Sequence, residues 1–463
     1  MDIGQAKKIH FVGISGIGIS GLAKICLEMG KQVTGSDLTE SIVSKGLMKS
    51  GARIIIGKQE EKNVPEDTDL LIYSNAVPET NPERKKAAEN RIAQLNYPQA
   101  LGGLTRDKKL ICVSGTHGKT TTTAMIVSVL RAAGKDPSFI VGSYLPEIGG
   151  NAKLGQSELF VIEADEYARA MLNYYPDYLI FTNIEADHLD TYKDIDDIKE
   201  TFKKYVAHLS VSGTLIANIE DKNVKEIAAV CPAKIVYYGL KHGQIKPTLL
   251  LSAKKGFSFS FANIQISLSV PGLHNVYNAL AVLGVARELG IEEKAIKKGL
   301  EDFKGTWRRF EHLGDYNGLP VISDYAHHPT EIRALLSAAK QAYPKKRIVV
   351  VFQPHQHNRT KNLFKDFVRA FDAAHLVILN EIFEVAGREN ERDQDVTSQD
   401  LVRELKKRNR WRLLFQNYKK EIYYAGDLKE SEEMVRKMAK KNDVLLIAGA
   451  GEIYKVSENL INR

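Results

Sequence analysis

Cysteine is scarce: Cys26, Cys112 and Cys231 are the only three in 463 residues. They lie far apart and form no CxxC or Cys/His cluster, which excludes a disulfide framework and a cysteine zinc site and fits a reducing cytoplasm. Three small buried hydrophobes is the expected role for them. No uncharged apolar run reaches the roughly 18 residues of a membrane span. The stretch from Met1 to Gly21 passes straight into a strand and a glycine loop, with no basic–apolar–small cleavage pattern, so no secretory leader is expected. Low-complexity tracts and short-period repeats are missing, which excludes solenoids and arrays. A large charge of one sign is missing too: 65 Lys+Arg against 57 Asp+Glu leave a net +8. That mild excess suits anionic small substrates and is no nucleic-acid signature. The densest basic stretch, Arg403 to Arg412, has only Trp411 as an aromatic partner and reads as a solvated helix face. No Ser/His/Asp triad or cysteine nucleophile is arranged for covalent catalysis. Oligomeric state is not legible.

An apolar share of 43% with 26% charged residues fills ordinary cores. At about 150 residues per domain, the length predicts roughly three domains. One device repeats along the chain, a β-rich apolar run, a glycine turn, then a helix. The first copy is Ile9–Val12, then Gly13 to Gly21, then a helix through about Met29; strands follow at Gln32–Gly35, Arg53–Ile56 and Leu70–Tyr73. This βαβ series implies a parallel sheet with helices on both faces. A polar linker is expected at Leu104–Lys109. The second copy is Lys109–Val113, then Ser114 to Thr121, then a helix from about Thr122 to Ala133. Short alternating runs at Thr248–Leu251, Phe257–Phe261 and Ile264–Val270 predict an antiparallel flap, and a helix-rich stretch from Asn275 to Phe303 follows. The third segment has strands at Val321–Ile322, Ile348–Phe352, Leu376–Leu379, Ile422–Tyr424 and Val444–Ile447, again an open parallel sheet. The expectation is an α/β protein of three domains, 1–104, 105–305 and 306–463: a Rossmann-like one, a mixed phosphate-loop one and a second Rossmann-like one.

Gly16-x-Gly18-x-x-Gly21 opens a helix after a strand, with Asp37 at the end of the next strand. Glycines allow the tight turn, and the helix N-terminus presents N–H groups to a diphosphate. The motif leaves open whether the diphosphate belongs to a nicotinamide cofactor or to another nucleotide. Gly115-x-x-Gly118-Lys119-Thr120 is a shortened phosphate loop, with Val113 where a full Walker A run has another glycine. Its backbone amides can cradle phosphates, Lys119 can neutralise the β- and γ-phosphates, and the Thr120 hydroxyl can ligate Mg²⁺. Mg²⁺ needs further hard oxygen ligands. Glu163, Asp165 and Glu166 follow one predicted strand, and Asp187, His188 and Asp190 another. In the last segment Asp324 to Glu331 and Gln353 to Arg359 follow strands, on the usual ligand side of such sheets. His327 and His328 as zinc ligands lack a third ligand at helical spacing. Thr330 can cap the helix that starts near Glu331. Arg308 and Arg309 can clamp a phosphate or serve as a linker ion-pair site. These parts together describe an enzyme that spends ATP on an anionic, nucleotide-linked substrate.

In this order, GISGIGISGLA, SNAVPETNPE, SGTHGKTTTT, EADEY, TNIEADHLDTY, PGLHNVYNA, WRRFE, DYAHHPTEI and FQPHQHNRT resemble the Mur ligases, from about Lys8 to Gly451. The resemblance implies ATP-dependent joining of L-alanine to the carboxylate of UDP-N-acetylmuramic acid through an acyl phosphate, with Mg²⁺ or Mn²⁺. On it, Gly13, Ser15, Gly16, Ile17, Gly18, Asp37, Ser74 and His117 hold the UDP-sugar. Gly115, Thr116, His117, Gly118, Lys119, Thr120, Thr121, Asn275, Asn278, Arg309 and Asp324 hold ATP. Thr120, Glu163 and His188 hold the metal; Tyr325, His327, His355 and Arg359 surround the amino acid. Lys119, Glu163, His188 and Arg309 are the implied catalytic set. The family's paired acid is Ser323–Asp324 here, and Gln356 stands where many members carry arginine. Two rivals remain, a family member that attaches a recycled tripeptide, and an oxidoreductase using NAD, for which the second glycine loop has no purpose.

Overall fold

The first apolar run becomes β1 (Lys8–Val12), and four more strands join it: β2 (Gln32–Asp37), β3 (Arg53–Ile56), β4 (Leu70–Tyr73) and β5 (Ala93–Asn96). They pair in the order β3-β2-β1-β4-β5, all parallel. Helices α1 (Ile17–Glu28), α2 (Ile42–Lys49), α3 (Pro82–Glu89) and α4 (Tyr97–Thr105) make the connections. The strand order reverses at β1 and β4, so the carboxyl ends of those two strands open a crevice, the usual ligand position of such sheets. Gly13 and Ser74 follow those ends.

The chain here is a computed structural model that describes residues 2–253, 256–384, 395–412 and 420–462. Contacts divide it into two units, the first made of Met1–Ala186, Asp194–Pro247 and Tyr277–Asp302, the second of Asp187–Lys193, Thr248–Val276 and Phe303–Arg463. The first unit also contains a seven-stranded sheet. Its elements are β6 (Lys109–Ser114), α5 (Lys119–Ala132), β7 (Ser138–Leu145), β8 (Gly150–Lys153), β9 (Leu159–Glu163), β10 (Tyr178–Phe181), α6 (Ile195–Val206), β11 (Thr214–Asn218), α7 (Lys222–Ala228) and β12 (Lys234–Tyr238). The order β12-β11-β10-β6-β9-β7-β8 sets β6 between β10 and β9, and the turn after β6 is therefore flanked by the ends of both neighbours. Only β8, antiparallel to β7, breaks the parallel pattern among these strands. Helix α1 packs on β7 and β8. Gly21 permits this approach, because a Cβ there would stand 2.8 Å from Ile140 Cγ2 and 3.0 Å from Asn151 Nδ2.

The second unit contains the expected antiparallel flap, β13 (Leu249–Ala253), β14 (Gly256–Phe261) and β15 (Ile264–Ser267); the turn at 254–255 lies outside the described residues. Helix α8 (Leu273–Glu288) begins in this unit and ends in the first, where α9 (Glu293–Asp302) packs against α5. The unit's main sheet runs β16-β17-β21-β18-β19-β20, from β16 (Glu311–Tyr316), β17 (Leu319–Asp324), β18 (Arg347–Phe352), β19 (Leu376–Asn380), β20 (Glu421–Ala425) and β21 (Asp443–Ala448). Helices α10 (Pro329–Ala342), α11 (His357–Asn362), α12 (Phe364–Ala370), α13 (Ser398–Arg412), α14 (Leu428–Met438) and α15 (Tyr454–Ile461) accompany it. Strands β17 to β21 are buried on both faces, Ile322, Val350 and Leu446 in one core and Val321, Val351 and Ile447 in the other, which is why they read as continuous apolar runs. No helix among the described residues is long and apolar enough to cross a membrane.

Three local expectations shift. Helix α1 starts at Ile17, inside the glycine run, and α5 at Lys119, directly after Gly118, so both glycine turns wrap a helix N-terminus. The polar linker shrinks to the three residues between α4 and β6, because α4 extends to Thr105. Helix α10 starts at Pro329, and its cap is His328, whose Nδ1 accepts from Thr330 N at 3.2 Å, so Thr330 is not the cap.

Beneath the first sheet lies a fully buried polar network. Glu83 accepts from Ser36 Oγ at 2.7 Å and Asn63 Nδ2 at 2.7 Å, and its Oε2 lies 3.0 Å from His10 Nε2. The Ser36 carbonyl in turn accepts from Gly13 N at 2.9 Å and Ile14 N at 3.1 Å, which ties the network to the first glycine turn. Removing one partner leaves buried donors stranded. Glu83→Ala is expected to cost about 3 kcal/mol or more, read as a lower urea midpoint with an unchanged slope; a midpoint like that of the parent protein contradicts this.

Candidate active site

The first glycine turn is built from backbone. Gly13 takes a positive φ of 79°, and a Cβ there would lie 3.0 Å from Ser74 Cβ, so Ser74 sits directly against the turn. Ser15 N donates to Asp37 Oδ2 at 2.8 Å, and Gly16 caps α1 without a side-chain hydrogen bond. First-turn amides of α1 thus stay uncapped by any side chain, a natural seat for an anion. Gly13, Ser15, Gly16, Ile17, Gly18, Asp37 and Ser74 come together here. Asp37 acts on the loop itself in this arrangement, through Ser15 N and, at 3.2 Å, Thr39 N.

The second glycine turn is held from the β10 side. Thr116 N donates to Asn183 O at 2.8 Å and His117 N to Asn183 Oδ1 at 2.9 Å, while Thr182 Oγ1 donates to His117 O at 2.7 Å. Sequence reasoning missed Thr182 and Asn183; their place straight after an apolar strand was the available signal. Gly118 has φ 84°, and a Cβ would stand 2.7 Å from Asn278 Oδ1, which puts Asn278 on the loop. Lys119 Nζ donates to Gly115 O at 2.6 Å and to Glu166 Oε2 at 2.7 Å, with Asp165 at 3.8 Å. Burial opposes the Lys119 charge, yet Glu166 and Asp165 hold its ammonium above the ordinary lysine range. Thr120 Oγ1 donates to Glu163 Oε2 at 3.0 Å, and Gly142 N donates to the other Glu163 oxygen. A hydroxyl and a carboxylate oxygen side by side are the donor set a magnesium ion takes from protein. Thr121 lies in the first turn of α5.

His188, Asn275, Arg309, Asp324, Tyr325, His327, His355 and Arg359 belong to the second unit. His188 has a positive φ of 52°, and its N–H donates to Asp187 Oδ1 at 2.7 Å. Asn275 Nδ2 donates to Pro271 O at 2.7 Å. Asp324, at the end of β17, accepts from Phe310 N and Ala326 N, each at 2.7 Å. Burial pushes its carboxyl up to about 6, against the pull of Arg309 and of these two amides. The Arg309 guanidinium lies 5.1 Å from the Tyr325 ring centroid and 3.7 Å from Glu331. Arg308 is the buried neighbour; it donates to Gly449 O and, at 3.1 Å, to Gly451 O, and so ties the strand-end loops together.

Arg359 is almost completely enclosed. Its Nε and Nη2 both reach Asp187 Oδ1 at 2.9 Å, and Nη1 lies 3.2 Å from His355 Nδ1. Burial alone raises the Asp187 carboxyl, but Arg359, with His188, His327 and His328, draws it well below the usual range. His355 stacks on Phe383, with centroids 5.7 Å apart, and meets His327 edge-on at 6.0 Å. Burial lowers His327 to about 4, against Glu331, so it is neutral at pH 7. Tyr325, His327, His355 and Arg359 thus form one cluster, and Asp187, weighed in the sequence as a metal ligand, is instead the carboxylate paired with Arg359.

Two largely parallel sheets within one unit, each with a glycine turn at a helix N-terminus, mark a nucleotide-using α/β enzyme. Three family models match: "Mur ligase family, catalytic domain" over 8–109, "Mur ligase middle domain" over 113–286 and "Mur ligase, glutamate ligase domain" over 308–451. The chain belongs to the Mur ligase family. Among its relatives, the UDP-N-acetylmuramate–L-alanine ligase of Clostridium acetobutylicum is 40% identical, covering 99% of this chain and 98% of that one. That of Clostridium tetani is 42% identical over 98% and 97%. The crystal structure of the Thermotoga maritima UDP-N-acetylmuramate-alanine ligase superimposes with a TM-score of 0.83 at 31% identity, covering 98% of both chains.

A histidine whose folded value is depressed takes up its proton more readily when unfolded, so stability rises with pH between about 4 and 6.5. In this window the buried Asp324 works in the opposite sense, because its raised value makes the folded state bind the extra proton. Replacing His327 with Gln is expected to remove the rising contribution, up to about 3 kcal/mol, so that the variant loses less thermal stability than the parent between pH 7 and pH 4.5. An equal loss in both proteins contradicts the assignment.

Proposed function

We propose that this protein is an ATP-dependent ligase that joins L-alanine to the carboxylate of UDP-N-acetylmuramic acid in peptidoglycan synthesis, working in the cytoplasm. The observation that carries this reading is the pair of anion seats in one unit, the α1 N-terminus and the Gly115–Thr120 loop with its part-buried Lys119, in a chain that matches L-alanine ligases over nearly its full length. The sugar nucleotide's diphosphate takes the first seat, with Asp37, Ser74 and His117 around it. The phosphates of ATP take the second, with Thr116, Thr121, Asn275, Asn278, Arg309 and Asp324 as further contacts. Segments 1–104, 105–305 and 306–463 are the corresponding UDP-sugar, ATP and amino-acid domains.

A carboxylate accepts no amine at neutral pH, because its leaving group would be oxide. A muramoyl carboxylate oxygen attacks the γ-phosphorus, ADP leaves, and the acid becomes an acyl phosphate. The amine of alanine then attacks the acyl carbon, inorganic phosphate leaves, and the nitrogen gives up a proton. Lys119 offsets the repulsion between the two anions. Thr120, Glu163 and His188 would hold Mg²⁺ (Mn²⁺ in its place), which supplies charge neutralisation at the phosphoryl oxygens when bound. Tyr325, His327, His355 and Arg359 receive the amino acid, whose carboxylate replaces Asp187 as the partner of Arg359.

Phosphate release with UDP-N-acetylmuramic acid is expected to be fastest with L-alanine, slower with glycine and L-serine, and absent with the tripeptide; faster release with tripeptide contradicts the reading. Lys119→Ala is expected to abolish ADP formation while UDP-sugar binding persists, measured by calorimetry, and unchanged turnover would refute the mechanism.

A further inference from the structure

Helix α4 begins at Tyr97, a residue in neither glycine motif. Its start is fixed by a reciprocal cap, Gln99 N donating to Asn96 Oδ1 at 2.9 Å and Asn96 N to Gln99 Oε1 at 3.1 Å, with Pro98 in the first turn. The half-buried ring lies against the first turn of α1: a Cβ on Gly18 would stand 3.0 Å from both Tyr97 Oη and Cζ. Gly18 therefore does more than shape a turn. It lets a phenol reach the mouth of the α1 anion seat.

The hydroxyl has no hydrogen bond to any described residue, although half-buried phenols ordinarily find a partner. Helix α4 also packs on the turn Tyr167–Asn173 that directly follows the carboxylates of the second seat, where a Cβ on Gly102 would stand 2.3 Å from Asn173 O. Burial first, then Glu163 and Asp165, push the phenol well above its ordinary range, so it keeps its proton and can donate to an anionic oxygen. Thus Tyr97 adjoins the first glycine turn at Gly18, and its helix packs on the segment that follows the phosphate-loop carboxylates, all within one unit.

We propose that Tyr97 Oη donates a hydrogen bond to the sugar-acid part of the nucleotide substrate, on the Glu163 side of the diphosphate, and is a further binding residue for the ligase reaction. This rests on the reading of the first glycine turn as the sugar-nucleotide seat. The diphosphate occupies the amides of α1, so a group reaching from there toward the phosphate loop is the sugar with its carboxylate. On this proposal the Tyr97 hydroxyl meets that portion, while the diphosphate is held by the backbone amides of α1.

Tyr97→Phe tests it cleanly, because the ring stays packed on Gly18 and only the oxygen goes. The variant is expected to bind UDP-N-acetylmuramic acid about five- to tenfold more weakly, with a matching rise in KM for that substrate. Its Kd for UDP alone and its KM for ATP are expected to stay within about twofold, because neither ligand loses a hydrogen bond. Unchanged affinity for the sugar nucleotide, or equal weakening toward UDP, overturns the proposal. Gly16→Val, where φ −65° and ψ 140° suit a β-branched residue and a Cβ would press on the Ile19 side chain at 3.2 Å, separates the underlying reading. It should abolish binding of both UDP ligands. If it leaves both intact, the seat itself is misassigned and the proposal for Tyr97 goes with it; if it abolishes binding while Tyr97→Phe changes nothing, only the proposal falls.

Discussion

A buried ammonium is tolerable only beside negative charge, and the phosphate loop is organised around meeting that condition for Lys119. Glu166 and the Gly115 carbonyl hold it at 2.7 and 2.6 Å. At an effective dielectric near 20, one unit charge 4 Å from another contributes about 4 kcal/mol, the size of effect needed to let two anions approach. An ammonium positioned beforehand delivers this without reorganisation at the moment of reaction. The same geometry explains why the loop needs Gly115 at φ 129° and Gly118 at φ 84°, where side chains would collide with the β10 end and with Asn278.

The two seats are linked through ordinary packing. Gly21 lets α1 settle on β7 and β8, and Asn151 Nδ2 donates to Ile17 O at the start of that helix. Gly142, on β7, crowds the Glu163 carboxylate, which also receives the Thr120 hydroxyl. One short hairpin therefore touches both the first glycine turn's helix and the phosphate-loop carboxylate. In the second unit, Asp187 does for Arg359 what Glu166 does for Lys119, a carboxylate that stabilises a cation with little access to water.

Much of this was legible in residues. Apolar runs buried on both faces, such as Ile348–Phe352 and Val444–Ile447, announce themselves as parallel strands, and glycine at fixed offsets marks both seats. Strands such as Ala93–Asn96 and Gly150–Lys153 are short and partly polar, so hydrophobic pattern alone hides them. The pairing of Asp187 with Arg359 and the approach of Tyr97 to Gly18 depend on tertiary contact between distant segments, and no local spacing encodes them. His328 as a helix cap was hidden for another reason. Threonine is the commoner cap, and only the observed start of α10 shows that the histidine precedes it.

The central claim is that the sugar acid itself attacks ATP. It is tested most directly by placing a heavy-oxygen label in the carboxylate of UDP-N-acetylmuramic acid and analysing the phosphate released with L-alanine. Transfer of one labelled oxygen into inorganic phosphate at every turnover is the predicted result. Phosphate that carries no label would contradict the account.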